Sequence, residues 1–490
     1  MFARVLSGGL WGAEGFPVEV EADVSRGLPS FQLVGLPDSS VKEARERVRS
    51  AVKNAGFSFP QSRITVNLSP SDLKKQGTHY DLPIAVSLLI ASGQLPPVEG
   101  LALLGELSLD GSLKKTAGLL PILVALKEAG VRRVAVPEGN EEEARLVPGL
   151  EVYAFTSLKE LAAFLKGELK RRPVRGEAFK KAGFKPVSLE DVRGQTDAKE
   201  ALAVCAAGFH HLLFVGPPGV GKSLLAKRVG ELAPPLEEDE ALELAKLYSL
   251  AGLLKEGLPR YRPVQAPHAS VSEAALVGGG NPPRPGLVSL AHRGFLLADE
   301  LFEFPRRAVE ALRQPMEDGV VTVSRAGHSF TFPASFTLVA TANPCPCGNH
   351  RNPYGVCSCS ESRIRAYRAR VSRAILDRID LTLWLTHPKD EKPSGTAEEL
   401  VRGIPRAFEA QRERGVYNGK MSAGEVKRYC EEMLSREASS LASALFERSS
   451  SVRRYHKLLK VARTLADLEG SREIKEEHVA RALHFTAEEL

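Results

Sequence analysis

Three segments of this sequence predict an α/β fold with a parallel sheet at its centre. The first is Gly216-Pro217-Pro218-Gly219-Val220-Gly221-Lys222-Ser223, which fits the phosphate-loop pattern G-x-x-x-x-G-K-[ST] at every position. The apolar run Leu212-Leu213-Phe214-Val215 before it reads as a buried strand, and Leu224 to Val229 after it reads as a helix. The second segment is Phe295-Leu296-Leu297-Ala298, an apolar strand ending in Asp299-Glu300. The third is Phe336-Thr337-Leu338-Val339-Ala340, which runs into Thr341-Ala342-Asn343.

The residue types at these strand ends suit nucleotide hydrolysis. The glycines of the loop let backbone N–H groups approach a phosphate closely, and the following helix N-terminus adds a field that favours an anion. Lys222 is expected at the terminal phosphates and Ser223 on Mg²⁺. Asp299 is expected to organise the metal's shell, and Glu300 to orient and polarise the attacking water. An acidic pair after a strand is, by itself, only a solvated strand end; the phosphate loop is what gives these two carboxylates a task. Asn343 is placed to hydrogen-bond the γ-phosphate or the water, though an ordinary turn asparagine would look the same in isolation.

The rest of the chain divides around this core. Residues 1 to about 165 alternate strand-like runs, such as Ile64 to Leu68 and Val134 to Val136, with helical ones at Val41 to Ala55 and Leu119 to Ala129. They predict a separate α/β domain with its own core. Residues 166–186, including Lys170-Arg171-Arg172 and Lys180-Lys181, read as a basic linker. The nucleotide domain is expected over 187–388, a hinge at Lys392-Pro393-Ser394-Gly395, and a helical lid over 396–490.

Composition sets limits on function. The 490 residues are 43% hydrophobic and 26% charged, the proportions of a soluble globular protein. A net charge of +6 permits nucleic-acid binding without requiring it. No apolar run approaches the roughly 20 residues of a membrane-spanning helix, and Met1-Phe2-Ala3-Arg4 opens no clear signal peptide. A cytoplasmic location is therefore expected. The six cysteines are then reduced or metal-bound rather than disulfide-linked. Cys345-Pro346-Cys347 and Cys357-Ser358-Cys359 can supply four thiolates to one tetrahedral Zn²⁺. C-x-C is tighter than the usual C-x₂-C, and reduced cysteines in a polar loop are the alternative. Cys205 and Cys430 lie in helical stretches and read as core residues.

The order of phosphate loop, Asp-Glu strand, strand-end asparagine and helical lid resembles the AAA+ ATPases, with Asp191-Val192-Arg193-Gly194-Gln195 in the place of their adenine-side segment. Ala275 to Gly280, Pro282 to Gly286, Glu310-Ala311-Leu312-Arg313-Gln314-Pro315 and Asn343-Pro344-Cys345-Pro346-Cys347-Gly348 are similar to the magnesium-chelatase-like branch. Within that branch the chain resembles the ComM/YifB family of bacteria over essentially its whole length. The resemblance implies a Mg-ATP-dependent hexameric motor acting on DNA, a branch-migration helicase of transformation and recombination. The alternative is a chelatase-like ATPase that remodels a protein partner and has no DNA activity.

The resemblance also assigns further residues. Arg378, in Leu376-Asp377-Arg378-Ile379-Asp380, corresponds to the arginine that reaches the neighbouring subunit's γ-phosphate, with Arg373 and Arg370 as rivals. Arg453, at the start of a lid helix, corresponds to the arginine that senses nucleotide in its own chain. Residues 278–286 read as a flexible loop, and Val320 to Phe332 as a β-hairpin turning near Ala326-Gly327. In the resembling branch such insertions line a central pore, where Arg284, Arg325 and His328 would meet DNA phosphates without reading sequence. The alternative is that both insertions pack between subunits. Finally, Gly105 to Gly111 and Val131 to Pro137 resemble the Lon-type protease domain, whose active members pair a serine nucleophile with a lysine base. The corresponding positions here are Ile84 and Leu120, and neither side chain can do this chemistry. Ser112 and Lys114 lie in a turn ahead of the lysine position. A non-proteolytic domain for binding or assembly is expected.

Overall fold

Two large sheets organise the chain. The computed structural model describes every residue except 177, 186, 188, 190, 191, 193, 281, 326, 327, 388–395, 450 and 487–490, together with all side chains of the described residues except those of 325, 448 and 449. The expected hinge at 392–395 and the hairpin turn at 326–327 lie outside the described residues, as do Asp191 and Arg193 of the adenine-side segment.

The first sheet is mixed and eight-stranded, in the order Val174–Arg175, Glu151–Phe155, Arg133–Pro137, Leu101–Leu103, Phe2–Trp11, Glu14–Ser25, Arg63–Ser69, Ser30–Val34. Along Glu14–Ser25, Val18, Val20 and Ala22 turn into the core while Glu19, Glu21 and Asp23 face outward, the period-two alternation of a half-buried strand. Helices Ser39–Asn54 and Asp81–Ala91 cover the apolar side. Ile84 and Leu120 are completely buried in helices Asp81–Ala91 and Leu119–Glu128. Ser112 donates instead to Asp110 Oδ1 at 2.7 Å, in the turn between Glu106–Leu107 and Leu113–Lys114, and Lys114 is exposed. Part of the basic stretch belongs to this domain. Val174 and Arg175 pair antiparallel with Val152 and Glu151, and Arg171 is bonded to Glu160.

The second sheet has five parallel strands, in the order Val264–Gln265, Phe295–Ala298, Thr337–Ala342, Leu212–Val215, Leu381–Trp384. The three inner strands are apolar along most of their length because both faces are covered. Helix Thr196–Gly208 lies in one core with the lid helices Thr396–Arg414 and Val452–Glu469.

Helix Glu238–Ala251 joins the two domains. Its Ala245 enters the apolar cluster around Leu119 to Leu126, and its C-terminal turn meets the start of Leu119–Glu128. Leu120 N–H lies 3.0 Å from Glu143 Oε1 and 3.3 Å from Ser249 Oγ, Ser249 Oγ–H donates to Glu143, and Gly118 N–H donates to Ser249 O at 3.0 Å. Trp11 adds a second contact, with ring centroids 5.5 Å from His328 and 5.0 Å from Phe330 of the hairpin.

The same helix ties the core to the lid. Glu240 is buried and receives Arg262 Nη2 at 2.8 Å and Tyr417 Oη at 2.7 Å. The Arg262 guanidinium also donates to Pro234 O and Arg293 O and lies over Phe209 at 4.5 Å. Both charges are out of water, so removing one strands the other. Arg262→Ala is expected to destabilise the ATPase core by about 3–5 kcal/mol, and Arg262→Met with Glu240→Leu by less. The check is chemical denaturation followed through the core's unfolding transition. A single-variant loss below about 1 kcal/mol would mean that water already reaches the pair.

Candidate nucleotide site

Strand register assembles the site. Val215 is level with Ala342, so the phosphate loop and Asn343 leave the sheet together, and Gly216 N–H donates to Ala342 O at 3.2 Å. Ala298 is level with Ala340, which carries Asp299 to the level of Thr341. The three segments of interest therefore meet at the carboxyl edge of the sheet, where open α/β sheets bind ligands.

The contacts follow from that placement. Lys222 turns back across its own loop and donates to Gly216 O at 2.7 Å, Pro217 O at 2.8 Å and Asn343 Oδ1 at 3.2 Å. Burial lowers its pKa from the usual lysine range, and the charges of Asp299 and Glu300 act against that shift. Ser223 Oγ–H donates to Asp299 Oδ1 at 2.6 Å, and Thr341 Oγ–H to the same oxygen at 2.5 Å. Glu300 N–H donates to Thr341 Oγ1 at 3.0 Å. Glu300 is exposed and holds a left-handed backbone (φ 59°). Thr341 thus links the two acidic residues, a role the sequence reading does not assign; the readable signal is a hydroxyl in an apolar strand two positions before Asn343.

The loop fits a polyphosphate. Gly219 and Gly221 have φ of 81° and 92°, and nothing lies within 4 Å of where a Cβ would stand on either, so the loop is open on that side. With Lys222 buried at its centre, Val220 and its neighbours can turn backbone N–H groups to an anion. Ser223 and Asp299 are the residues that can hold Mg²⁺. Gln195, from the adenine-side segment, donates to Thr386 O at 2.7 Å and Val220 O at 3.3 Å, tying that segment to the loop.

The remaining predicted residues lie elsewhere. Arg378 donates to Ala374 O at 2.6 Å and is bonded to Glu317, with its side chain only 7% exposed. Arg453 Nη2 lies 3.8 Å from the same Glu317 carboxylate. The two arginines therefore share one acid that the sequence reading did not single out, and nothing in the sequence pattern around Glu317 marks it. Arg370 pairs with Glu303 at 2.8 Å, and Arg373 is exposed.

Of the residues expected to contact DNA, Arg325 and His328 are cross-strand partners in the hairpin Val320–Arg325 / His328–Pro333. His328 is half-buried beside Trp11, and Arg284 is exposed on a separate ribbon. That ribbon corrects the expectation of an irregular loop. Gly278 pairs with Pro285 and Gly279 with Arg284. Glycine makes it possible, because a Cβ on Gly286 would stand 2.3 Å from Gly278 N.

The cysteine pairs come together. The sulfurs of Cys345, Cys347, Cys357 and Cys359 all lie within 4.8 Å of one another. Cys205 and Cys430 are buried apart from them.

Comparison with known proteins agrees with this architecture. The family model described as magnesium chelatase, subunit ChlI, matches residues 188–392. Subunit ChlI of Mg-chelatase matches residues 20–140, and the magnesium chelatase subunit ChlI C-terminal model matches 394–486. The competence protein ComM of Haemophilus influenzae is 40% identical, covering 99% of this chain and 97% of its own. The uncharacterized protein YifB of Escherichia coli K12 is also 40% identical, covering 96% of this chain and 94% of its own. The Lon protease of Trichlorobacter lovleyi is 24% identical over 35% of this chain and 22% of its own.

The geometry separates three variants. Lys222→Ala is expected to weaken nucleotide binding. Glu300→Gln should bind normally and lose about 10²- to 10⁴-fold in turnover. Thr341→Val should raise the Mg²⁺ concentration needed for half-maximal activity. Steady-state ATPase assays and equilibrium binding check all three; normal turnover in Glu300→Gln would remove it from the role of base.

Proposed function

The chain belongs to the ComM/YifB family of magnesium-chelatase-like AAA+ ATPases, and from that premise we propose that it is a Mg-ATP-dependent homo-hexameric motor that moves on DNA as a branch-migration helicase. The setting is cytoplasmic transformation and recombination. Membership of the family carries ATP and Mg²⁺ use with it. The observation that supports the reading is the meeting of Lys222, Ser223, Asp299 and Asn343 at one sheet edge. Among the described residues no helix is long and apolar enough to cross a membrane.

ATP supplies the phosphoanhydride bond to be broken, and Mg²⁺ offsets its charge. Lys222 and Ser223 bind, and Asp299 holds the metal's shell. Asn343 and Glu300 orient the water, and the Glu300 carboxylate takes its proton. Arg378 completes the neighbouring subunit's site, for which its guanidinium has to leave Glu317. Arg453, on the same acid, responds to the nucleotide state. Arg284, Arg325 and His328 are the residues assigned to contact with the DNA backbone. The four-cysteine cluster is, in this reading, a zinc site with a structural role.

Two experiments test the proposal. DNA, forked or four-way, is expected to stimulate ATP hydrolysis, less so as salt rises. Hydrolysis that no DNA stimulates would favour the remodelling of a protein partner. Arg378→Ala should bind ATP yet lose turnover, and mixing it with Lys222→Ala subunits should restore part of the activity by joining intact halves across interfaces. Normal turnover in Arg378→Ala alone would remove it from the shared site.

A further inference from the structure

We infer that Cys345, Cys347, Cys357 and Cys359 hold one Zn²⁺ whose task is to clamp the phosphate loop and Asn343 in their working positions. The metal site stands on its own geometry; its coupling to nucleotide rests on the ATPase reading above.

Three of the sulfurs have the spacing of a tetrahedron's edges, and the fourth, on Cys359, lies within 4.8 Å of each of them. Cys345 and Cys347 sulfurs are 3.4 Å apart, Cys345 and Cys357 3.7 Å, and Cys347 and Cys357 3.6 Å. Four thiolates at a Zn–S distance of about 2.3 Å lie about 3.8 Å from one another along the tetrahedron's edges. The sulfurs are too far apart for disulfides, whose atoms are about 2.0 Å apart. The surroundings suit thiolates. His350 N–H donates to Cys345 Sγ at 3.3 Å, and backbone N–H groups of Asn349 and Ser358 serve Cys347. Four thiolates on one dication leave two negative charges. Arg368 interacts with Cys345 and donates to Pro344 O at 3.1 Å, and Arg351 joins it over the Trp384 ring.

The clasp touches the nucleotide site at two points. Cys345 follows Asn343 by two residues, and the Asn343 amide oxygen is one of the three acceptors around the Lys222 ammonium. Gly348, one residue after Cys347, lies against the phosphate loop. A Cβ there would stand 2.6 Å from Pro218 Cδ, and its φ of 78° is one that side chains rarely adopt. Tying residues 345 to 359 to a metal therefore fixes both the strand-end asparagine and the outer wall of the loop.

Full-length protein purified without a histidine tag is expected to contain one zinc per chain by elemental analysis. Replacement by Co²⁺ should give the visible bands of a tetrahedral tetrathiolate site. Cys357→Ser should lose the metal and bind a fluorescent ATP analogue several-fold more weakly. Stripping wild type with a chelator should do the same, with recovery on adding zinc, which keeps the test sound if the variant misfolds. Gly348→Ala should retain zinc yet bind the analogue more weakly. Absence of zinc with four freely titrating thiols, or iron in its place, overturns the zinc site. Unchanged nucleotide affinity in both stripped protein and Gly348→Ala overturns the clamp. Zinc-loaded wild type that binds no nucleotide overturns the ATPase reading and the clamp with it, while the metal count decides the site separately.

Discussion

Parallel pairing of Phe295–Ala298, Thr337–Ala342 and Leu212–Val215 is the constraint on which the site depends. Side chains alternate along a strand, so a one-residue slip would turn a whole strand over. Burial on both faces forbids that slip, since it would have to repack both cores around the sheet. The register then sets which strand ends meet: Asp299 beside Thr341, and Gly216 beside Asn343. One hydroxyl, Thr341, converts that alignment into a hydrogen-bonded link between the Asp299 carboxylate and the Glu300 backbone N–H. Lys222 is desolvated at the junction and keeps three acceptors around its ammonium, the arrangement a buried cation needs.

A second set of contacts connects this edge to the lid. Asp380, one residue past Ile379, is buried and accepts from His211 N–H at 3.0 Å, at the foot of the phosphate-loop strand. Burial pushes its carboxyl up, but the interaction with His210 and the nearby Lys457 charge outweigh it and hold the carboxyl well below the ordinary range. Lys457, on the lid helix that carries Arg453, donates to Ile379 O. Arg378 thus sits between a strand anchored by Asp380 and a lid helix anchored through Ile379, and Glu317 collects both arginines. The lid helix is therefore connected to Arg378 through bonded neighbours.

The amino-terminal domain is tied to the rest of the chain by packing. Ile84 and Leu120 are buried in its helices, and the Leu120 N–H donates to Glu143 within the domain and to Ser249 across the domain boundary. The domain therefore leans on the same Glu238–Ala251 helix whose Glu240 holds Arg262 and Tyr417. One helix meets the amino-terminal domain, the core and the lid.

The sequence by itself determined the local parts. The phosphate loop, the acidic strand end and the helical lid are each written in contiguous residues, where chain connectivity leaves little freedom. The tertiary structure decided whatever depends on residues far apart in the chain. It gave Val174 and Arg175 to the first sheet, and made a ribbon of the glycines at 278 and 279 by bringing another strand against them. It chose Thr341 and Glu317 as linking residues, and gathered two C-x-C pairs into one cluster. A hydroxyl, a carboxylate or a thiol carries no mark in sequence of what it will face. Its partner is set by strand register and by which elements pack together, and these depend on the whole core at once.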